Sequence, residues 1–139
     1  MSTTELIINT YEELKTFRDS VNNGTNSYQT VKLGADIDMN GDDWTPIGFN
    51  NDNGTIKTFS GTFDGQGHII SGLYFNKSTD NVGLFGVNAG TIKNVGIADS
   101  YFSGRTYVGS VCGYNYSTVE NCYSTSFVNG KYNVGGLCG

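Results

Sequence analysis

The chain has 139 residues, enough for one domain, with 8 basic and 13 acidic residues and a net charge of −5. No basic patch marks a nucleic-acid binder or a partner for an anionic membrane surface, and the apolar runs are far too short for insertion across a bilayer. Twenty Gly, nine Tyr and eight Phe, with one Pro and only 15% charged residues, argue against disorder and for many short strands joined by tight turns.

The first residues, Met1-Ser2-Thr3-Thr4-Glu5-Leu6, carry no basic start and no long apolar run, so no signal peptide is read there. Thr10 with Glu13 three residues later has the form of a capping box. Leu14, Phe17 and Val21 follow at helical spacing, which predicts an amphipathic helix over 10–22. Residues 1–27 are therefore expected to form an N-terminal cap over the end of whatever follows. Tyr28–Ile37 reads as a strand, Asp38–Asp43 as a turn, and Trp44–Gly48 as the close of an irregular first coil.

Beyond this the chain repeats. Seven residues separate Phe63 from Ile70, Phe85 from Ile92, and Cys112 from Val119, and a further copy begins at Cys138. The anchors Phe63, Phe85, Cys112 and Cys138 lie 22, 27 and 26 residues apart. The segments after each step alternate with period 2: Leu73/Phe75, Val95/Ile97 and Cys122/Ser124 on one face, Tyr74, Gly96 and Tyr123 on the other. A strand-like repeat of this length predicts an all-β fold, a right-handed parallel β-helix of about four to five coils over residues 28–139, with an N-terminal capping helix. The last copy is cut at Gly139, and the natural protein is expected to continue.

Stacked coils place equivalent residues in ladders. The expected inward ladders are Phe63, Phe85, Cys112 and Cys138 in one row, and Leu73, Val95 and Cys122 in a second. Gln66, Asn88 and Asn115 are expected to stack their amides. Gly72, Asn94 and Asn121 suit left-handed turns. The three cysteines fill apolar positions and are expected to be buried, unreactive thiols. Parallel side chains suit a disulfide torsion poorly.

Candidate chemistry is sparse. Asp36, Asp38, Asn40 and Asp42 with Gly41 fit the opening of a calcium loop, but Ile47 stands where a bidentate Glu belongs, so an Asx-rich turn is the simpler reading. His68 is the only histidine; an acid–base pair with Asp64 is conceivable, a turn histidine simpler. Asp42-Asp43 is the only adjacent acidic pair in the coils. The Gly61–Gly67 stretch is Gly-rich, but no helix follows it to cradle a phosphate. Four Asn-x-Ser/Thr sites, at Asn23, Asn53, Asn76 and Asn115, are read as incidental. No metal and no cofactor are expected.

Val82-Gly83-Leu84-Phe85-Gly86, Val108-Gly109-Ser110-Val111-Cys112-Gly113 and Val134-Gly135-Gly136-Leu137-Cys138-Gly139 resemble GLUG motifs. The lead-in through Ala35–Met39, Trp44–Gly48 and Phe59–Ile70 is similar to that of GLUG-motif repeat proteins. The resemblance implies a place in a large bacterial surface or secreted protein, a group that includes the non-catalytic regions of IgA-specific metallopeptidases. It implies an extracellular or cell-surface location and no common active site. Departures are Ser110 in place of Gly and Cys at two positions more often Val or Phe.

The reading that follows is a non-catalytic segment acting as an adhesin-like stalk or display surface. The alternative is an accessory module of a large secreted enzyme, peptidase or glycan-active, whose active site lies elsewhere. The partner is unknown; a host glycan or protein fits outward Tyr74 and Tyr123, while nucleic acid does not.

Overall fold

The computed structural model describes residues 5–50 and 54–139. The chain winds as a parallel β-solenoid of about five turns with one helix near its N-terminus. Its first wall stacks Glu5–Ile8, Thr30–Leu33, Thr62–Asp64, Thr91–Lys93 and Thr118–Glu120, each parallel to the next. The second wall stacks Ile37–Asp38, Ile69–Ser71, Gly96–Ser103 and Tyr123–Asn129, with Tyr74–Asn76 alongside the far half of Gly96–Ser103. The third wall pairs Phe85–Asn88 with Cys112–Asn115 and extends through single bridges from Ile47 to Phe85 and from Cys112 to Cys138.

Period-2 alternation and in-register stacking together decide the core. Inward rows run Val31–Phe63–Ile92–Val119 in the first wall and Ile37–Ile70–Ile97 in the second. Phe75–Phe102–Val128 runs beside the latter, and Ile47–Phe85–Cys112–Cys138 lines the third wall. Phe63, Phe85, Phe102, Ile47, Ile70, Ile92 and Ile97 are wholly buried. Burying each such side chain stabilises the fold by roughly 1.5–3 kcal/mol.

The turns between walls need left-handed backbone, and Asn94, Asn121 and Gly72 all supply it, with φ of +57°, +51° and +71°. The glycine that ends each motif has a different cause. A Cβ at Gly113 would meet Tyr107 O and Val82 N at 2.6 Å, so only glycine lets the two strands of backbone pass this closely.

The helix spans Tyr11–Asn22, with Thr10 Oγ1 accepting the Glu13 N–H at 3.2 Å and Glu13 reaching back to the Asn9 N–H at 3.0 Å. It joins the first two strands of the first wall and so replaces the other walls of that turn. Leu14, Phe17 and Val21 are buried, and Phe17 meets the rings of Phe59 at 5.1 Å and Phe63 at 6.1 Å. Asn22 fastens the helix end, donating to Pro46 O and accepting from Gly48 N. A strand, Glu5–Ile8, precedes the helix and belongs to the first wall, a strand that the sequence reading assigned only to the cap.

Three expected stackings are corrected. Phe63 does not lie over Phe85; it pairs with Val31 and Ile92 in the first wall, and Ile47 is the residue before Phe85 in that ladder. Leu73 does not join Val95 and Cys122: its N–H donates to Ser100 Oγ, whereas the Val95 carbonyl accepts from Tyr123 N, next to Cys122. Gln66 does not join Asn88 and Asn115; it sits in a left-handed turn and donates to Leu33 O at 2.8 Å, while Phe59 bridges to Asn88. One cause underlies the shifted frame. Phe63 to Ile70 runs from the first wall to the second and Phe85 to Ile92 from the third to the first, so one seven-residue spacing marks two different corners; a small antiparallel hairpin, Phe49–Asn50 with Ile56–Lys57, lies earlier, between Ile47 and Phe59.

Asn88 and Asn115 do meet, with Asn88 Nδ2 donating to Asn115 Oδ1 at 2.8 Å. Asn88 is wholly buried; it also donates to Gly90 O and Thr118 O and accepts from Gly90 N. Asn88→Ala leaves those buried groups unpaired and is expected to cost about 1–3 kcal/mol in chemical denaturation. Asn115→Ala, at the more exposed end of the pair, should cost clearly less. Equal losses at both positions would refute a ladder whose weight rests on the buried amide.

Candidate functional site

The chemistry-bearing side chains are scattered by the fold. His68 Nδ1 lies 3.1 Å from Asp36 Oδ1, so its partner is Asp36 and not Asp64. The Ile69 N–H and then His68 hold the Asp36 carboxyl below its usual range. Burial pushes Asp64 up, but hydrogen bonds from the Asn94 amide and the Gln66 N–H outweigh it and bring the carboxyl below its usual range. Asp38 Oδ1 accepts from Asn40 N, and Asp42 Oδ2 accepts from Tyr11 OH at 2.5 Å. The four carboxylates of the imagined calcium loop and acid–base pair thus serve four separate local purposes. Ile47, at the twelfth loop position, is buried in the third wall. Among the described residues no group of three His, Cys, Asp or Glu side chains converges to hold a metal. Asn53, of one glycosylation-like triplet, lies outside the described residues.

The outward aromatics are organised. Tyr74, Tyr101 and Phe127 occupy one register position on three successive turns. Their rings stack at 5.3 Å and 4.8 Å, the second pair within 4° of parallel. The ring spacing is the turn spacing, about 4.8 Å, so stacking follows from the solenoid itself. Tyr74 is half-buried and gives one face to Tyr101. Tyr123 stands in a different row, over Gly96, where an added Cβ would come within 2.3 Å of its ring. Tyr74 and Tyr123 are therefore not one outward position, contrary to the alternation read from the sequence.

A second aromatic group forms where the third wall meets the short ladder of Thr106–Val108 with Tyr132–Val134. Tyr107 packs edge-on against Tyr114 at 4.8 Å, and Tyr114 meets Tyr116 at 4.6 Å. With Asn50, Asp80, Asn81 and Val87 they line a recess of about 400 Å³. Tyr107 has φ +58°, and the equivalent residues one turn away on either side are Asn81 and Asn133, at +61° and +53°. Asparagine tolerates this conformation; a bulky aromatic does so at a cost of about 1–2 kcal/mol. Nothing in the sequence singles these tyrosines out, because a lone Tyr does not report its φ. A larger groove, about 670 Å³ between residues 26–30 and 58–62, is lined by no charged side chain.

Beside the recess, Arg105 grips Asp80 on the preceding turn, Nε to Oδ1 and Nη2 to Oδ2, both at 2.9 Å. Residues 104–129, which include this arginine and all three tyrosines of the recess, match the family model described as the GLUG motif. The chain carries the GLUG motif. Gly113 and Cys112 of the third-wall ladder fall within the matched residues. Across 95% of the chain, GLUG segment included, it is 35% identical to halomucin of Haloquadratum walsbyi, of which the match spans 2%. Across 67% it is 32% identical to a protein of Evansella cellulosilytica described as a Gly-rich membrane protein, of which it spans 11%. The chain thus covers a small fraction of either relative. No solved structure matches it.

The Asp80–Arg105 pair makes a pH prediction. The Arg105 hydrogen bonds hold the Asp80 carboxyl below its usual range. Its stabilisation is therefore present above the ordinary carboxylate pKa of about 4 and is lost as pH falls through the lower folded value. Both side chains are partly exposed, so Asp80→Asn should cost no more than about 1 kcal/mol at neutral pH. Thermal melts from pH 7 to 2 should show wild type and variant converging at the acid end; a gap that widens there would contradict the assignment.

Proposed function

We propose that this chain is a non-catalytic β-solenoid segment of a cell-surface or extracellular protein, and that its outward aromatic surface binds a glycan or a protein. The stacked walls supply a stiff scaffold, and loops and outward faces vary without disturbing it. The observation that carries the binding reading is Tyr107: an aromatic held in a strained left-handed turn where its neighbours use Asn, lining a recess with two further tyrosines, amides and a carboxylate. Strain of this kind gathers at ligand contacts. Tyrosine offers an apolar face with a polar tip, which suits sugar rings and protein partners alike. Support for a surface location comes from the GLUG motif and from a relative whose name places it at a membrane. Among the described residues no helix is long and apolar enough to cross a membrane. Neither relative bears the name of an enzyme.

The test is a binding screen of the chain against glycans and extracellular-matrix proteins, followed by variants. Tyr107→Asn relieves about 1 kcal/mol of backbone strain, offset in part by the lost contact with Tyr114, so stability should hold or rise. Affinity for the identified ligand should fall about tenfold or more, roughly 1.4 kcal/mol, and Tyr116→Ala should do the same. Tyr74→Ala and Tyr123→Ala should leave binding intact. Full binding by Tyr107→Asn together with a stability loss above about 1 kcal/mol would make the tyrosine structural and the binding reading wrong. Polysaccharide cleavage lost on changing Asp42, Asp43, Asp64 or His68 would overturn the non-catalytic reading.

A further inference from the structure

We infer that Cys112 and Cys138 close into a disulfide that staples two successive turns of the solenoid through its third wall, while Cys122 remains a thiol. The two residues face each other across a parallel bridge, in register, 26 residues apart. Neighbouring strands lie about 4.8 Å apart, inside the Cα window of about 4.4–6.8 Å that a disulfide needs. Their sulfurs are 3.0 Å apart as thiols, so bonding at about 2.05 Å asks only for side-chain rotation. Parallel side chains suit the disulfide torsion poorly in general, but here the two sulfurs face each other within 3.0 Å. Upstream in the same row stand Phe85 and Ile47, so an apolar ladder holds the pair in place.

The two thiols are unequal in a way that orders the chemistry. Cys112 is wholly buried and Cys138 half-buried, so an oxidant meets Cys138 first. The hydrogen bond from Cys112 lowers the Cys138 thiol, while that bond and burial push Cys112 up. The Cys138 thiolate attacks one sulfur of a small-molecule disulfide and releases one thiol of the reagent. Cys112 then loses its proton, attacks Cys138 Sγ in the mixed disulfide, and releases the second thiol. Two protein thiols and one reagent disulfide become one protein disulfide and two reagent thiols. Cys122 is placed elsewhere: its sulfur lies by Glu120 O at 3.3 Å and Ile92 O at 3.8 Å, and burial pushes its thiol up.

The test uses the full chain incubated with oxidised glutathione under native conditions. Intact mass should fall by two hydrogens, and protease mapping should recover a peptide joining Cys112 to Cys138. Labelling after denaturation should find one thiol, at Cys122. Cys122→Ser should keep the cross-link, and Cys138→Ser should abolish it. Closing a loop of this length should raise the melting temperature on the order of 10 °C over the reduced chain. Three free thiols after oxidation, a linkage through Cys122, or an oxidised form that melts no higher than the reduced one would each overturn the inference. None of these outcomes bears on ligand binding at the tyrosine recess, so the two proposals fail separately.

Discussion

Every turn of this chain must hydrogen-bond to the turns on either side of it with its residues in register, and the rest of the structure follows from that requirement. Parallel stacking repeats each position at one fixed height, about 4.8 Å, so whatever occupies a place in one turn meets its counterpart in the next. Inward places become continuous rows: Val31–Phe63–Ile92–Val119 is one, Phe75–Phe102–Val128 another. A polar residue can enter such a row only with partners, and Asn88 does so by using its whole amide on Gly90, Thr118 and Asn115. The motif glycines belong to the same requirement, because the corner backbones pass too closely for a Cβ at Gly113.

A stack has two ends, and at one of them the helix does work that no further coil does. Its apolar stripe of Leu14, Phe17 and Val21 lies over the terminal core, and Phe17 meets Phe63 directly. Arg18 places its guanidinium 4.9 Å from the Trp44 ring, and Trp44 in turn donates to Leu84 O. The helix is therefore tied to the second and third turns as well as the first.

Outside the walls the requirement relaxes, and there the chain differs most from turn to turn. The carboxylates are consumed locally, Asp36 by His68 and Ile69, Asp64 by Asn94 and Gln66, Asp80 by Arg105. The proposed binding therefore rests on aromatic surface. The row of Tyr74, Tyr101 and Phe127 spends its ring faces on itself, whereas Tyr107 sits in a conformation that its counterparts reach with Asn. Its contact with the Tyr114 ring at 4.8 Å offsets that strain in part, and the binding proposal rests on what is left.

Read alone, the amino-acid sequence was sufficient for the solenoid, the capping helix and the inward face of the strands around Phe75, Ile97 and Ser124. Those are properties of local periodicity: spacing of Leu14, Phe17 and Val21 for the helix, alternation around Tyr74, Gly96 and Tyr123 for the strands. It was also sufficient for the 27- and 26-residue steps from Phe85 to Cys112 to Cys138, where no insertion intervenes. It misassigned Phe63, Leu73 and Gln66. A seven-residue step leads from Phe63 in the first wall to Ile70 in the second and equally from Phe85 in the third wall to Ile92 in the first, so that spacing does not say which wall it left. Only the three-dimensional pairing resolves this. The same holds for the site. The backbone angle at Tyr107, the partner of His68 and the 3.0 Å approach of Cys112 to Cys138 depend on residues distant in the chain or on dihedrals that no side-chain identity reports. Those were decided by the tertiary structure, because stacking alone brings such residues together.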